Sequence, residues 1–295
     1  MQETLMNATP TASKPFVATG LATGMVEVSV TVPAAPERVW QALTEPALVR
    51  LWFGELSGPL SQGASQRLDF EDGDYFTLSD IRCRPPNRLE YRWRFLGTGP
   101  RDTIVWDIEP GPDGSRVTVT DSESARAPEN VSELEEGWSD FLGRLQRHLA
   151  TGEITRYDWR RDFDGAIELP VSVEQASERL LAEDSHGLWL PFGGTALAEG
   201  ETAMVADGLA PEHFELSKVD WRSPTSVRFE LTAQGWAHGT NCRLEIKPHR
   251  DGAILVVSHN GWENIGADNA YHMAQRKRFG ELWIEALQRA RRLVG

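Results

Sequence analysis

The residues of this chain best suited to chemistry lie in its C-terminal half, where Cys242 and His259 stand on either side of a hairpin signal. Asp251-Gly252 marks a tight turn, and a four-residue turn over His249 to Gly252 pairs Pro248 with Ala253. Counting outward sets Cys242 opposite His259. Because side chains alternate, a slip of one residue would turn His259 to the other face. A thiol beside an imidazole is a candidate nucleophile and base. That chemistry also needs a group to orient the base and donors for an oxyanion, and no motif in the sequence supplies either. A buried cysteine is more often a small hydrophobe, so no catalytic residue is assigned. Tyr271, His272 and Gln275 fall on the early turns of the following helix and are expected to face the same interior. The second half is therefore expected to enclose a pocket with polar walls, suited to selective binding. A cyclase- or hydrolase-type enzyme is the alternative that the same residues keep open.

The first half offers aromatic rings instead. Leu89, Tyr91, Trp93 and Phe95 alternate with Arg88, Glu90, Arg92 and Arg94, which is the period of a strand with one dry face. Trp106 sits on a second alternating run and Trp138 on an amphipathic helical stripe, so Tyr91, Trp93, Trp106 and Trp138 are expected to line one cavity. Indoles there can wall an apolar pocket while an N–H fixes one polar group of a ligand, or they can simply fill the core. The same counting around Gly111 to Gly114 sets Ile104 opposite Asp121 and Trp106 opposite Val119. Asp121 is thus the counterpart of His259, and it is expected at the wet end of its strand. Gly137 costs its helix stability, and close packing on the sheet is the expected reason. The histidines 186, 213, 238, 249, 259 and 272 have no paired ligand spacing, so no metal is expected. Phosphate loops and nucleophile elbows are missing, so no cofactor is expected.

These residues are positioned by a repeat. Val30-Thr31-Val32-Pro33 parallels Ile167-Glu168-Leu169-Pro170, Asn87 to Tyr91 parallels Thr225 to Phe229, and Asp113-Gly114 parallels Asp251-Gly252. Each half runs strand, two short helices, several strands and one long helix. In the first half the closing helix is expected from about Glu129 to Ala150. In the second, a strand over 163–169, helices across 173–190, strands from 201 to 260 and a helix over 268–292 are expected. The fold class is α+β, two helix-grip domains, each a curved antiparallel sheet wrapped around a long C-terminal helix. The expected boundaries are a flexible tail 1–24, a first domain 25–150, a polar linker 151–161 and a second domain 162–295.

Val39 to Pro46, Leu51-Trp52-Phe53, Pro85 to Leu89 and Glu136-Gly137-Trp138 together resemble the family of activator of heat-shock-protein-90 ATPase homologues, within the START-like or SRPBCC superfamily. The resemblance covers residues 25–150. The second copy diverges, with Ser177 matching Trp40 and Phe279-Gly280 where Gly137-Trp138 would be expected. The resemblance implies a cavity between sheet and helix and a family that includes lipid carriers, cyclases and a chaperone regulator, so a protein-interaction or chaperone-regulating role is a further alternative. Noncatalytic binding of a small hydrophobic molecule is the leading expectation.

A net charge of −14 without a basic cluster disfavours nucleic acid and anionic membranes as partners. The longest apolar runs, such as Ile254 to Val257, are far too short to span a bilayer. Only Cys83 and Cys242 are present, which gives no disulfide framework and fits the cytoplasm.

Overall fold

Alternating runs rich in Val, Ile and aromatic residues build two separate antiparallel sheets, each curling over the apolar stripe of one long helix. The computed structural model describes residues 16–17, 24–123, 126, 131–157, 159–192, 196–205 and 212–295. The first sheet comprises β1 (Phe16–Val17), β2 (Met25–Val32), β3 (Glu55–Leu56), β4 (Gln66–Asp69), β5 (Tyr75–Arg84), β6 (Arg88–Phe95), β7 (Arg101–Gly111) and β8 (Gly114–Ser122). Their spatial order is β1-β2-β8-β7-β6-β5-β4-β3. The second comprises β9 (Phe163–Leu169), β10 (Thr202–Val205), β11 (Glu212–Ser223), β12 (Ser226–Ala233), β13 (Thr240–His249) and β14 (Gly252–Asn260). Its order is β10-β11-β12-β13-β14-β9. In both, the strand that opens the repeat pairs with the strand that closes it.

The helices follow the expected signals. Pro36 starts α1 (Pro36–Thr44) and Pro46 starts α2 (Pro46–Val49), where a missing N–H costs nothing. A capping box of Ser172 and Gln175 starts α4 (Val173–Leu180), and α5 is the single turn His186–Trp189. The long helix α3 (Val131–Thr151) buries Trp138, Leu142 and Leu145 on one stripe, and α6 (Asn269–Val294) buries His272, Arg276, Phe279, Trp283 and Leu287. The expected start of α3 near Glu129 lies outside the described residues, as do most of residues 1–24. Phe16 and Val17, inside the expected tail, instead pair with Ser29 and Val28 and extend the first sheet.

Two hairpins close on two-residue loops. Gly111 pairs with Gly114, and His249 pairs with Gly252, one step tighter than the four-residue turn expected from the sequence. The register is unaffected: Pro248 pairs with Ala253, Cys242 with His259, Ile104 with Asp121 and Trp106 with Val119.

The halves have separate apolar cores with a bolt between them. Leu96, in the β6–β7 turn of the first half, is fully buried in the core of the second, together with Trp159. It holds φ at 52°, a conformation unusual for leucine, and its backbone is fixed by bonds between its N–H and the Tyr75 carbonyl and from the Tyr75 hydroxyl to its own carbonyl. Arg276 on α6 reaches in the opposite direction. It donates to Asp74 Oδ2 at 2.7 Å, to the Asp72 carbonyl at 3.1 Å and to the Asp162 carbonyl at 2.5 Å. Arg160 meets the same Asp74 oxygen at 2.7 Å, and its backbone N–H bonds Asp72 Oδ2 at 2.6 Å. The stretch expected as a plain linker is thus held down on both sides.

Candidate functional site

Cys242 and His259 face each other across the hairpin, both buried, with His259 turned toward α6. Trp283 Nε1 donates to His259 Nδ1 at 3.0 Å; since an indole nitrogen can only donate, the imidazole proton sits on Nε2 and goes to Thr240 Oγ1 at 2.8 Å. Burial, with the nearby Arg276 charge, drives the His259 pKa well down, and burial pushes the Cys242 thiol up. The imidazole is neutral and both its nitrogens are committed, so it has no lone pair free for the thiol. His272 is buried on the α6 stripe, while Gln275 lies beside it, partly buried, and neither His272 Nε2 nor Gln275 Oε1 has a hydrogen-bond partner. Tyr271 departs from its expected inward place. It is more than a third exposed, because one helical step from His272 carries it about 100° off the buried stripe. Its hydroxyl accepts the Trp236 N–H at 3.1 Å.

In the first half Tyr91, Trp93, Trp106 and Trp138 do share one interior, and they fill much of it with each other. Trp93 stacks on Trp138 and on Phe76, and Trp106 meets Trp138 edge-on. Trp106 Nε1 donates to the Tyr91 hydroxyl at 3.0 Å, and Trp138 Nε1 donates to Asp121 Oδ2 at 2.9 Å. Burial, above all, raises the Tyr91 pKa. Asp121 corrects the expectation of a wet strand end. It is fully buried, because the Trp138 N–H and the Arg126 guanidinium at 2.6 Å give it partners inside. Gly137 is corrected as well: a Cβ there would meet nothing within 4 Å, so close packing is not its reason.

The open space lies between the halves. A cavity of about 1420 Å³ has apolar lining from Phe76, Phe95 and Leu134 of the first half, from Trp159 of the connecting stretch and from Ile254 and Val256 of the second half, set among charged side chains of both signs that make up most of its wall. Ile254 and Val256 belong to the face of β14 opposite Leu255, Val257 and His259, the face that alternation assigns to solvent. Sequence reasoning missed this wall, although a signal existed. Ile254 to Val257 is a continuous apolar run, the pattern of a strand covered on both faces.

Charged side chains line much of the cavity, and one corner of it gathers several carboxylates. Asp102 and Glu123 line it with Arg126, and the buried Asp121 stands just behind. Arg126 Nη2 lies 2.6 Å from Asp121 and 3.4 Å from Asp102. Arg250, from the β13–β14 turn of the other half, meets Glu123 at 2.8 Å with its own φ at 51°. Burial, then the neighbouring Asp121 charge, pushes the Asp102 pKa up to about 8, and burial raises Asp121 also. None of Asp102, Glu123 and Arg126 is marked by any motif, and Arg250 joins them only through docking of the halves. Among the described residues no group of His, Cys, Asp and Glu is arranged to hold a metal ion, and no helix is long and apolar enough to cross a membrane.

Comparison with solved structures places this geometry among known proteins. DynU16, a protein of the dynemicin biosynthetic locus, is 36% identical, with a TM-score of 0.85 over 93% of this chain and 100% of its own. CalU16 from Micromonospora echinospora is 23% identical over 48% of this chain and 96% of its own, with a TM-score of 0.37. A protein from Staphylococcus saprophyticus, SSP2350, is 22% identical over 46% of this chain and 98% of its own, with a TM-score of 0.40. Comparison with curated proteins found no match. Residues 33–150 match the model of the Activator of Hsp90 ATPase homolog 1-like proteins. Together with the end-to-end likeness to DynU16, that match shows that the chain belongs to the Activator of Hsp90 ATPase homolog 1-like family, in a form with two helix-grip domains.

Proposed function

We propose that the protein binds a small, largely apolar molecule in the cavity between its two domains, without catalysing a reaction on it. The observation that carries this reading is the cavity itself, about 1420 Å³, where Phe76, Phe95, Leu134, Trp159, Ile254 and Val256 give an apolar patch within a charged lining that keeps the mouth wetted. Membership of DynU16 in a biosynthetic locus supports a biosynthetic small molecule as the occupant. Trp93 and Trp138 back the Phe76 ring, so the aromatic set picked from the sequence supports the cavity wall from behind. The commitment of both His259 nitrogens supports binding over hydrolysis at Cys242. The two unbridged cysteines support a cytoplasmic setting, and domain limits of 25–150 and 162–295 are part of the same proposal.

The test is a thermal-shift and fluorescence screen of fatty acids, polyketides and flavonoids against the full chain and a Val256→Trp variant. Val256 is only partly buried and points into the cavity, so the larger ring occupies ligand volume and leaves the inner core untouched. At least one class should raise the melting temperature and quench tryptophan emission, and the variant should lose most of the response. Silence across the panel, together with no bound mass in native mass spectrometry of protein freshly isolated from its source, overturns the reading.

A further inference from the structure

Asp72 and Asp74, just before β5, meet Arg160 of the connecting stretch and Arg276 of α6, so two carboxylates stand against two guanidiniums. Both guanidiniums crowd onto one oxygen. Asp74 Oδ2 accepts from Arg160 Nη2 and from Arg276 Nη2, each at 2.7 Å. Asp74 Oδ1 accepts nothing: the residue is 2% exposed, and this oxygen is buried without a hydrogen-bond partner among the described residues. Arg160 Nε is buried and unmatched as well, since Asp72 Oδ2 stands 3.6 Å away, past hydrogen-bond reach. Arg276 Nε is also unmatched, but Arg276 does not line the cavity.

Asp74 and Arg160 do line it. An unmet acceptor and an unmet donor are thus held on two cavity side chains that a 2.7 Å contact already joins. The apolar patch begins beside them. Phe76 lies two residues after Asp74 in the chain, and Arg160 Cζ is 4.0 Å from the Phe70 ring centroid and 5.6 Å from that of Phe95. Buried polar groups are normally matched, and leaving one unmet is costly. Such a cost is sustained where a guest supplies the missing partner.

We infer that this corner receives a neutral hydroxyl of the ligand, which donates to Asp74 Oδ1 and accepts from Arg160 Nε while the apolar body lies against Phe76 and Phe95. The inference rests on the binding reading above and narrows its ligand to apolar alcohols and phenols. A hydroxyl is a donor and an acceptor in one small group. An ammonium has no lone pair for Arg160 Nε, and an ether or a carboxylate has no hydrogen for Asp74 Oδ1. Charge points the same way. The two carboxylates already balance the two guanidiniums, so an ionic guest would bring a buried charge that has no partner. The salt bridges also hold both unmet atoms in place before the guest arrives, which lowers the ordering cost of binding.

The experiment is equilibrium dialysis of the full chain near neutral pH with a naphthol and with the methylnaphthalene and methoxynaphthalene substituted at the same ring position. The naphthol should bind at least about tenfold more tightly than the methyl compound, a difference of about 1.4 kcal/mol, and the methoxy compound should stay within about twofold of the methyl one. Asp74→Asn keeps an oxygen for the guanidiniums and turns an N–H toward the guest, so naphthol and ether should then bind within about twofold of each other. Equal binding of naphthol and methylnaphthalene by the unmodified chain overturns the inference and leaves the apolar cavity standing. An ether that binds the unmodified chain as tightly as the naphthol overturns it, and so does a naphthol-over-ether preference that survives in folded Asp74→Asn. If Asp74→Asn does not fold, heteronuclear NMR decides: the arginine Nε–H signal that Arg160→Lys removes should shift in the unmodified chain with naphthol and not with methylnaphthalene, and an unmoved signal overturns the inference. Binding of none of the three compounds up to their solubility limits overturns it, and counts against the binding reading as well.

Discussion

Asp102 keeps its proton near neutral pH because burial and the Asp121 charge both oppose ionisation. In the unfolded chain its carboxyl returns to about 3.9, so the folded state binds the extra proton between that value and about 8. A raised pKa contributes stability that is complete below the unfolded value and is lost as pH rises through the folded one. Urea unfolding should therefore show stability falling between about pH 5 and pH 8, and Asp102→Asn should flatten that slope; an unchanged slope would assign the effect elsewhere. Glycines make the other residue-level contrast. Gly137 lies on the exposed side of α3 with open space where a Cβ would stand, so Gly137→Ala should stabilise by about 0.5–1 kcal/mol in chemical denaturation. Gly114 holds φ at 128° and a Cβ there would lie 2.1 Å from the Val32 carbonyl oxygen, so Gly114→Ala should destabilise well beyond that.

At the level of elements, the β13–β14 hairpin shows what sequence can fix. The Asp251-Gly252 signal and period-two alternation determine which residues pair, and every pair from Cys242–His259 to Pro248–Ala253 follows. The long helices were legible for the same reason: a stripe such as Trp138, Leu142 and Leu145 repeats at the helical period. What alternation cannot express is the partner of the second face. Val256 counts as a solvent position until another domain is laid over it, and Asp102 on a strand of one sheet and Arg250 in a turn of the other come within electrostatic reach only in the docked pair. Tyr271 failed on a finer point, since being near the buried stripe of α6 is not being on it. The β6–β7 turn escaped notice for a third reason. Leu96 looks like any turn hydrophobe, yet it is buried in the other core at a conformation that costs a leucine about 1 kcal/mol or more. Leu96→Ala should cost about 2–5 kcal/mol in denaturant melts despite its place in a turn. A loss below about 1 kcal/mol, the scale of an exposed turn residue, would show that the bolt does not hold.

For the whole molecule, the buried Arg276 is the counterpart of that bolt. It spends its guanidinium on Asp74, Asp72 and Asp162, and Gly280 leaves it room, since a Cβ there would stand 3.1 Å from Arg276 Nη1. Removing one partner of a buried pair typically costs about 3–5 kcal/mol, and because Arg160 stays on Asp74 the loss here should fall toward the lower end. Arg276→Ala should lower the melting temperature and enlarge the radius of gyration in small-angle scattering as the domains part. If the radius stays fixed, Leu96 and the Arg250–Glu123 pair suffice for docking. The apolar outer face of β14 bears on another stage of the protein's life. A ribosome releases the N-terminal domain first, and domains generally fold in that order. When Ile254 to Val257 leaves the exit tunnel, the surface that will cover its second face already exists, so a segment rich in β-branched residues is sheltered almost as soon as it is made. The order of synthesis thus provides this strand with a neighbouring surface by the time it is made.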